Sequence, residues 1–339
     1  MPEHAGNPAK PTIAVSMGDP GGIGPEILVK ALADRARRSS ARFLIQGSTS
    51  AMQDAADQAG ISPYWWQLPT GSSIAASASH DVVVFDHGGE GFPHAPSKDN
   101  GLLSHRYVLD AIEHCKGEAD ALVTVPISKE AWKLAKKARH PGHTELLGEQ
   151  FKAKRVGMFF ESPKLRVILA TVHIPLLDIR NALTIGKIFD AIDLGNDACK
   201  QLGIAEPRIA VCGLNPHAGE NGMMGDEETR LIQPAIEHAV RVGIDAKGPF
   251  PADTIFNQAV AGKFDLVVAM YHDQGLIPVK LLAWDQAVNV TCGLPVWRTS
   301  PDHGTAFDIA GKGKADEGSM AAAIDLAIRL ARSESSAGG

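Results

Sequence analysis

Two features of the sequence predict an α/β protein with largely parallel sheets. Short apolar runs rich in β-branched residues, each bounded by turn formers, alternate with segments of helical length, the order that parallel crossovers require. The chain has 339 residues, and domains run to roughly 150 residues, so two such domains are expected.

The elements follow in order. Thr12-Ile-Ala-Val-Ser16, Arg42-Phe-Leu-Ile45, Asp81-Val-Val-Val-Phe85 and Ala121-Leu-Val-Thr-Val125 have the continuous apolar character of strands buried on both faces. Helical segments lie between them at Pro25–Arg38, Ser50–Ala59 and Leu102–Cys115. The second half repeats this pattern, with strands at Arg155–Phe160, Leu165–Thr171, Arg208–Cys212, Leu266–Met270 and Val288–Cys292. Helices are predicted over Ile185–Leu202, Glu227–Val242 and Ser319–Arg332, and disordered tails over Met1–Lys10 and Ser333–Gly339.

Composition narrows the function. Hydrophobic residues make up 44% and charged residues 21%, which excludes wholesale disorder. The formal net charge of -6 argues against a nucleic-acid backbone as the main partner. No run approaches the roughly 18 apolar residues that span a bilayer, and the start is polar, so a cytoplasmic protein with no membrane contact is expected. Cys115, Cys199, Cys212 and Cys292 are widely spaced, which fits buried free thiols better than a disulfide framework or a Cys-x-x-Cys metal site.

Several segments can carry chemistry. Met17-Gly-Asp-Pro-Gly-Gly-Ile-Gly-Pro-Glu26 joins a strand to a helix. Its glycines serve either a tight turn or an anion at the helix start, and it is neither a dinucleotide fingerprint nor a P-loop. His173, His217 and His272 each follow a predicted strand, where parallel-sheet chemistry collects. Each is either structural or one ligand of a divalent ion with positions left open for substrate. Gly142-His-Thr-Glu145 offers an imidazole and a hydroxyl, with Thr144 equally suited to cap a helix. Lys280, Asn289 and Arg298 combine a point charge, an amide and a planar fork, a set that suits phosphate or carboxylate, though each alone also fits a solvated surface. The small-residue loop Asp302-His-Gly-Thr-Ala-Phe-Asp-Ile-Ala-Gly311 could grip a ribose or adenine, or simply turn.

Taken in order, Gly18–Glu26, Gly142-His-Thr-Glu145, Asn215-Pro-His-Ala-Gly-Glu220, Tyr271-His-Asp-Gln-Gly275 and Arg298-Thr-Ser-Pro-Asp-His-Gly-Thr-Ala306 resemble the 4-hydroxythreonine-4-phosphate dehydrogenase family of vitamin B6 biosynthesis. The likeness covers about Thr12 to Ala331, and the first and last motifs are also similar, more distantly, to segments of isopropylmalate dehydrogenases. Gly21, Val172 and Pro301 depart from the usual alanine, threonine and valine.

The resemblance implies two α/β/α domains with a cleft between them, as in isopropylmalate dehydrogenases: residues 1–133 with 299–339 on the cofactor side, and 134–298 carrying metal, substrate and dimer contacts. It implies that His173, His217 and His272 bind one divalent ion (zinc, magnesium or cobalt), with His272 reaching in from the other subunit of a homodimer that shares its active site. His143, Thr144, Lys280, Asn289 and Arg298 fall on substrate positions. His303, Gly304, Thr305, Asp308 and Ala310 fall on positions for the adenosine part of NAD or NADP.

The implied reaction oxidises a small phosphorylated hydroxy acid, 4-(phosphooxy)-L-threonine, to a β-keto acid that loses carbon dioxide. Asp253, Asp273 and Lys280 are its acid–base candidates. Oxidation of D-threonate or D-erythronate 4-phosphate in sugar-acid catabolism is the alternative within the same family. A metal-dependent hydrolase and a catalytically silent binding protein are the alternatives of other kinds.

Overall fold

The structure is a computed structural model that describes residues 10–140 and 142–337. Its strands are β1 (Thr12–Ser16), β2 (Arg42–Gly47), β3 (Trp66–Pro69), β4 (Val82–Asp86), β5 (Ala121–Thr124), β6 (Gly157–Glu161), β7 (Val167–Leu169), β8 (Ile209–Cys212), β9 (Ala246–Phe250), β10 (Leu266–Ala269), β11 (Val288–Cys292) and β12 (Trp297–Pro301). Its helices are α1 (Gly24–Leu32), α2 (Arg35–Ser40), α3 (Thr49–Ala59), α4 (Lys98–Cys115), α5 (Lys129–Leu134), α6 (His143–Gln150), α7 (Ile179–Ala182), α8 (Ile185–Gln201), α9 (Gln233–Arg241), α10 (Ala252–Val260), α11 (His272–Leu282) and α12 (Gly318–Ala337). The chain is α/β, as the alternation predicts. Of the expected disordered tails, residues 1–9 and 338–339 lie outside the described residues, whereas Ser333 to Ala337 continue α12.

The chain divides into two compact units, Met1–Gly142 with His303–Arg332 and His143–Asp302 with Ser333–Gly339. The breaks fall after Gly142 and Asp302. The Trp132 indole of α5 donates to Ser104 Oγ of α4 at 3.0 Å, which keeps that helix in the first unit. In the second unit β12 pairs with β11, with Pro301 opposite Val288.

In the first unit the strands run β3-β4-β2-β1-β5, all parallel. Ile13, Ala14 and Val15 are fully buried, as are Phe43, Leu44 and Ile45 beside them, so the sheet is covered on both faces. Ile13, Val15, Phe43, Leu44 and Ile45 each contribute roughly 2 kcal/mol of transfer free energy. The helix predicted over Pro25–Arg38 divides at Asp34, which adopts an extended backbone (ψ 115°) and accepts hydrogen bonds from Ala36 N and Arg37 N, capping α2.

In the second unit the order is β12-β11-β6-β7-β10-β8-β9. β7, β10, β8 and β9 are parallel, while β12, β11, β6 and β7 pair antiparallel. The β6–β7 and β11–β12 pairs are antiparallel because their links are too short for a crossover helix. Between β6 and β7, Ser162 Oγ accepts from Leu165 N at 3.1 Å and donates to Leu165 O at 2.7 Å, closing a tight turn. All four cysteines are buried free thiols, and burial pushes those of Cys115, Cys199 and Cys212 up to about 12. Among the described residues no helix is long and apolar enough to cross a membrane.

Candidate active site

The candidate site is built on the carboxyl ends of three neighbouring parallel strands, β7, β10 and β8. Side chains tie these ends to one another. Thr171 Oγ1, after β7, donates to Met270 O at 2.7 Å. Gln274, in the first turn of α11, accepts from Met270 N at 2.6 Å and donates to Gly213 O at 2.8 Å. The segments carrying His173, His272 and His217 are thereby held in register. Gly275 completes the fit of α11 on the sheet, because a Cβ there would lie 2.7 Å from Leu169 Cδ2 and 2.8 Å from Val167 Cγ1.

The rings of His173 and His272 lie 5.6 Å apart, centroid to centroid. Two imidazoles sharing a tetrahedral ion, with nitrogen–metal bonds of about 2.0 Å, place their centroids roughly 5 Å apart, a spacing close to that of this pair. The Nδ1 of His272 meets Asp273 Oδ1 at 2.7 Å. A carboxylate accepts there, so Nδ1 carries the proton and the Nε2 lone pair is left for a cation. His217 is not drawn into this pair: among the described residues no three His, Cys, Asp or Glu side chains are grouped closely enough to hold an ion. It sits instead on a left-handed turn, 62% exposed, with Nδ1 3.9 Å from Glu220 Oε2. That turn lines a cavity of about 380 Å³ with Pro249 and Pro251, just before α10. Asp253 is exposed in the first turn of α10.

The anion-binding candidates gather on β11, β12 and α6. The β11–β12 register pairs Thr291 with Arg298 and Asn289 with Ser300, which puts all four on one face. Arg298 is only 4% exposed and donates to Thr291 Oγ1 at 3.1 Å. Burial lowers its pKa to about 10, with Glu145 of α6 opposing, so it remains a buried cation at neutral pH. The Asn289 carbonyl oxygen is buried with no hydrogen-bond partner. His143 and Thr144 open α6 and are partly buried beside Glu145, which is exposed. Lys280, two turns beyond His272 on α11, pairs with Asp302 at 3.1 Å just past β12.

The nucleotide-loop candidates lie in the first unit. Ile23 N donates to Thr305 O at 2.9 Å, so the opening glycine turn and the His303–Ala310 loop meet. A Cβ on Gly22 would stand 2.9 Å from Thr305 O, and one on Gly21 would collide with the Pro93 carbonyl. These two glycines therefore serve backbone packing. His303 and Gly304 are exposed, and the space beside the Gly304 Cα is open. The Asp308 carbonyl accepts from Lys312 Nζ at 2.6 Å, and Ala310 is buried. Beyond the loop, Lys30 Nζ donates to Gly313 O at 3.0 Å, Ala315 O at 2.7 Å and Glu26 Oε1 at 2.8 Å. Sequence reasoning missed Lys30 and Gln274, whose spacing from the chemistry-bearing residues carries no periodic signal.

Residues 39–327 match the family described as pyridoxal phosphate biosynthetic protein PdxA. This chain belongs to that family. It is 44% identical over 340 aligned residues, 97% of this chain and 98% of the other, to a protein of Geobacter metallireducens named 4-hydroxythreonine-4-phosphate dehydrogenase. A Cupriavidus necator protein named D-threonate 4-phosphate dehydrogenase is 45% identical, covering 95% of this chain and 97% of its own. The crystal structure of 4-hydroxythreonine-4-phosphate dehydrogenase from Klebsiella pneumoniae superposes with a TM-score of 0.83 at 39% identity, over 96% of this chain and 99% of that one.

Proposed function

We propose that this PdxA-family chain is a 4-hydroxythreonine-4-phosphate dehydrogenase. It oxidises 4-(phosphooxy)-L-threonine with NAD or NADP to 2-amino-3-oxo-4-(phosphooxy)butyrate, which decarboxylates to 3-amino-2-oxopropyl phosphate in pyridoxal phosphate biosynthesis. The observation that carries the reading is the pairing of His173 with His272, oriented by Asp273, in a unit that also buries Arg298.

In this reading Arg298, Lys280, Asn289, His143 and Thr144 bind the anionic substrate and fix its hydroxyl toward the histidines. Contacts away from the reacting carbon orient the alcohol and so lower the entropic barrier to oxidation. His173, His217 and His272, drawn from two copies of the chain, would hold a divalent ion such as zinc, cobalt or magnesium. That ion would supply Lewis-acid polarisation of the substrate oxygen, and the nicotinamide cofactor would accept the hydride. Asp273 is engaged with His272 and so positions it, and Asp253 or Lys280 would take the hydroxyl proton. The loop from His303 to Ala310 would hold the adenosine part of the cofactor.

A second reading, oxidation of D-threonate 4-phosphate, is favoured by the Cupriavidus relative at equal identity. Purified protein assayed with each substrate and each nucleotide separates the two. Turnover of the amino acid at a kcat/KM at least tenfold above that of D-threonate 4-phosphate is expected. Equal or reversed rates would transfer the assignment to sugar-acid catabolism, and no nucleotide reduction with either would end both readings.

A further inference from the structure

The turn that carries His217 is left-handed through five residues. Backbone φ is +51° at His217, +51° at Ala218, +82° at Gly219, +42° at Glu220 and +55° at Asn221. Four of these are not glycine, and side chains disfavour this region, so the run persists only where its surroundings impose it.

Glu228, 5% exposed in the π-helical turn Glu228–Ile232 that leads into α9, anchors the residues just before this run. Its Oε1 accepts from the backbone N–H of Leu214 at 2.8 Å and of Asn215 at 2.7 Å. Its Oε2 accepts from Asn215 Nδ2 at 2.9 Å. The middle of the turn folds onto the same carboxylate, since a Cβ on Gly219 would lie 2.7 Å from Glu228 Oε2. Glu227 adds a second acceptor for Asn215 Nδ2 at 2.8 Å. In sequence, Glu227 and Glu228 look like the solvated acidic start of a helix, yet both are buried and directed at the histidine turn.

We propose that Glu228 is a positioning residue for His217: it pins Leu214 and Asn215 and lies against Gly219, so that the left-handed turn presents the imidazole already formed for a divalent cation. The inference rests on the metal-binding reading given above and adds to it the group that sets one ligand in place.

The test uses the full-length protein, stripped of metal and titrated with cobalt by calorimetry and by visible absorption, together with limited proteolysis of the metal-free protein. Glu228→Gln keeps the volume but turns an amide toward N–H donors. It is expected to weaken cobalt binding at least tenfold and to expose residues 213–225 to cleavage. His217→Ala should weaken cobalt binding as much while leaving that segment protected. If Glu228→Gln does not fold, Gly219→Ala, which crowds Oε2 while retaining the carboxylate, carries the same expectation. Wild-type cobalt affinity in the Glu228 or Gly219 variant overturns the positioning role and leaves the metal reading standing. Unchanged affinity in His217→Ala overturns the metal reading, and this inference with it.

Discussion

Asp19 shows at a single residue how the opening turn trades stability for shape. Its side chain is fully buried, Oδ1 accepts from Gly21 N at 3.0 Å, and burial pushes its pKa from 3.8 to about 6, with the Gly21 N–H and the Asn100 amide pulling the other way. A raised pKa means that the folded state holds its proton more tightly than the unfolded chain. Its contribution to stability is therefore complete below pH 3.8 and lost as pH rises to about 6. Above that, ionisation in the interior costs on the order of 2 to 3 kcal/mol. Asp19→Asn keeps the acceptor for Gly21 and removes the charge. It should raise stability by about 2 kcal/mol at pH 8 and leave it nearly unchanged at pH 4, as read by urea unfolding. A loss of stability at pH 8 would show that the carboxylate itself is held by a favourable contact.

Among the elements, α11 joins packing most directly to the site, because its first residue is His272 and its fourth is Gly275, set against β7. Gly275→Ala drives a methyl into the Leu169 and Val167 side chains, and the expected relief is an outward displacement of the helix. Overpacking of this kind costs about 1 to 3 kcal/mol. The same displacement parts His272 from His173, so cobalt affinity should fall more than tenfold even where the melting temperature drops only a few degrees. A variant destabilised by that amount with wild-type cobalt affinity would show that the histidine pair tolerates movement of α11.

The element scale also explains what the sequence disclosed. Strands buried on both faces, such as β1, β2 and β10, announce themselves as unbroken apolar runs. β3 does not, because Trp66, Gln67 and Pro69 lie exposed at a sheet edge. β9 is masked by Gly248 and Pro249, and β12 by the arginine and hydroxyls that make it interesting for binding. α11 escapes notice because His-Asp-Gln-Gly and Pro278 lack a helical pattern. The histidines are legible from their places after strands, whereas Glu228 is not, since its burial depends on contacts across the fold.

At the scale of the whole molecule, the decisive feature is that His217 stands apart from the His173–His272 pair within one chain. If the proposed three-histidine site is shared between two copies of the chain, the arrangement is isologous and generates two equivalent sites. This makes a prediction that no single-chain site can meet. His217→Ala and His272→Ala homodimers should each be inactive, because every site lacks one ligand. Unfolded together and refolded as a mixture, half the dimers become mixed. Whenever the two histidines of a site come from different chains, each mixed dimer carries one doubly defective site and one intact site. Activity should therefore return to about a quarter of wild type. Sedimentation confirms that the mixture is dimeric, and the recovered rate should scale with the mixed fraction when the ratio of variants is varied. If every site drew both histidines from one chain, each site in the mixed dimer would still lack a ligand, and no mixing ratio would restore turnover.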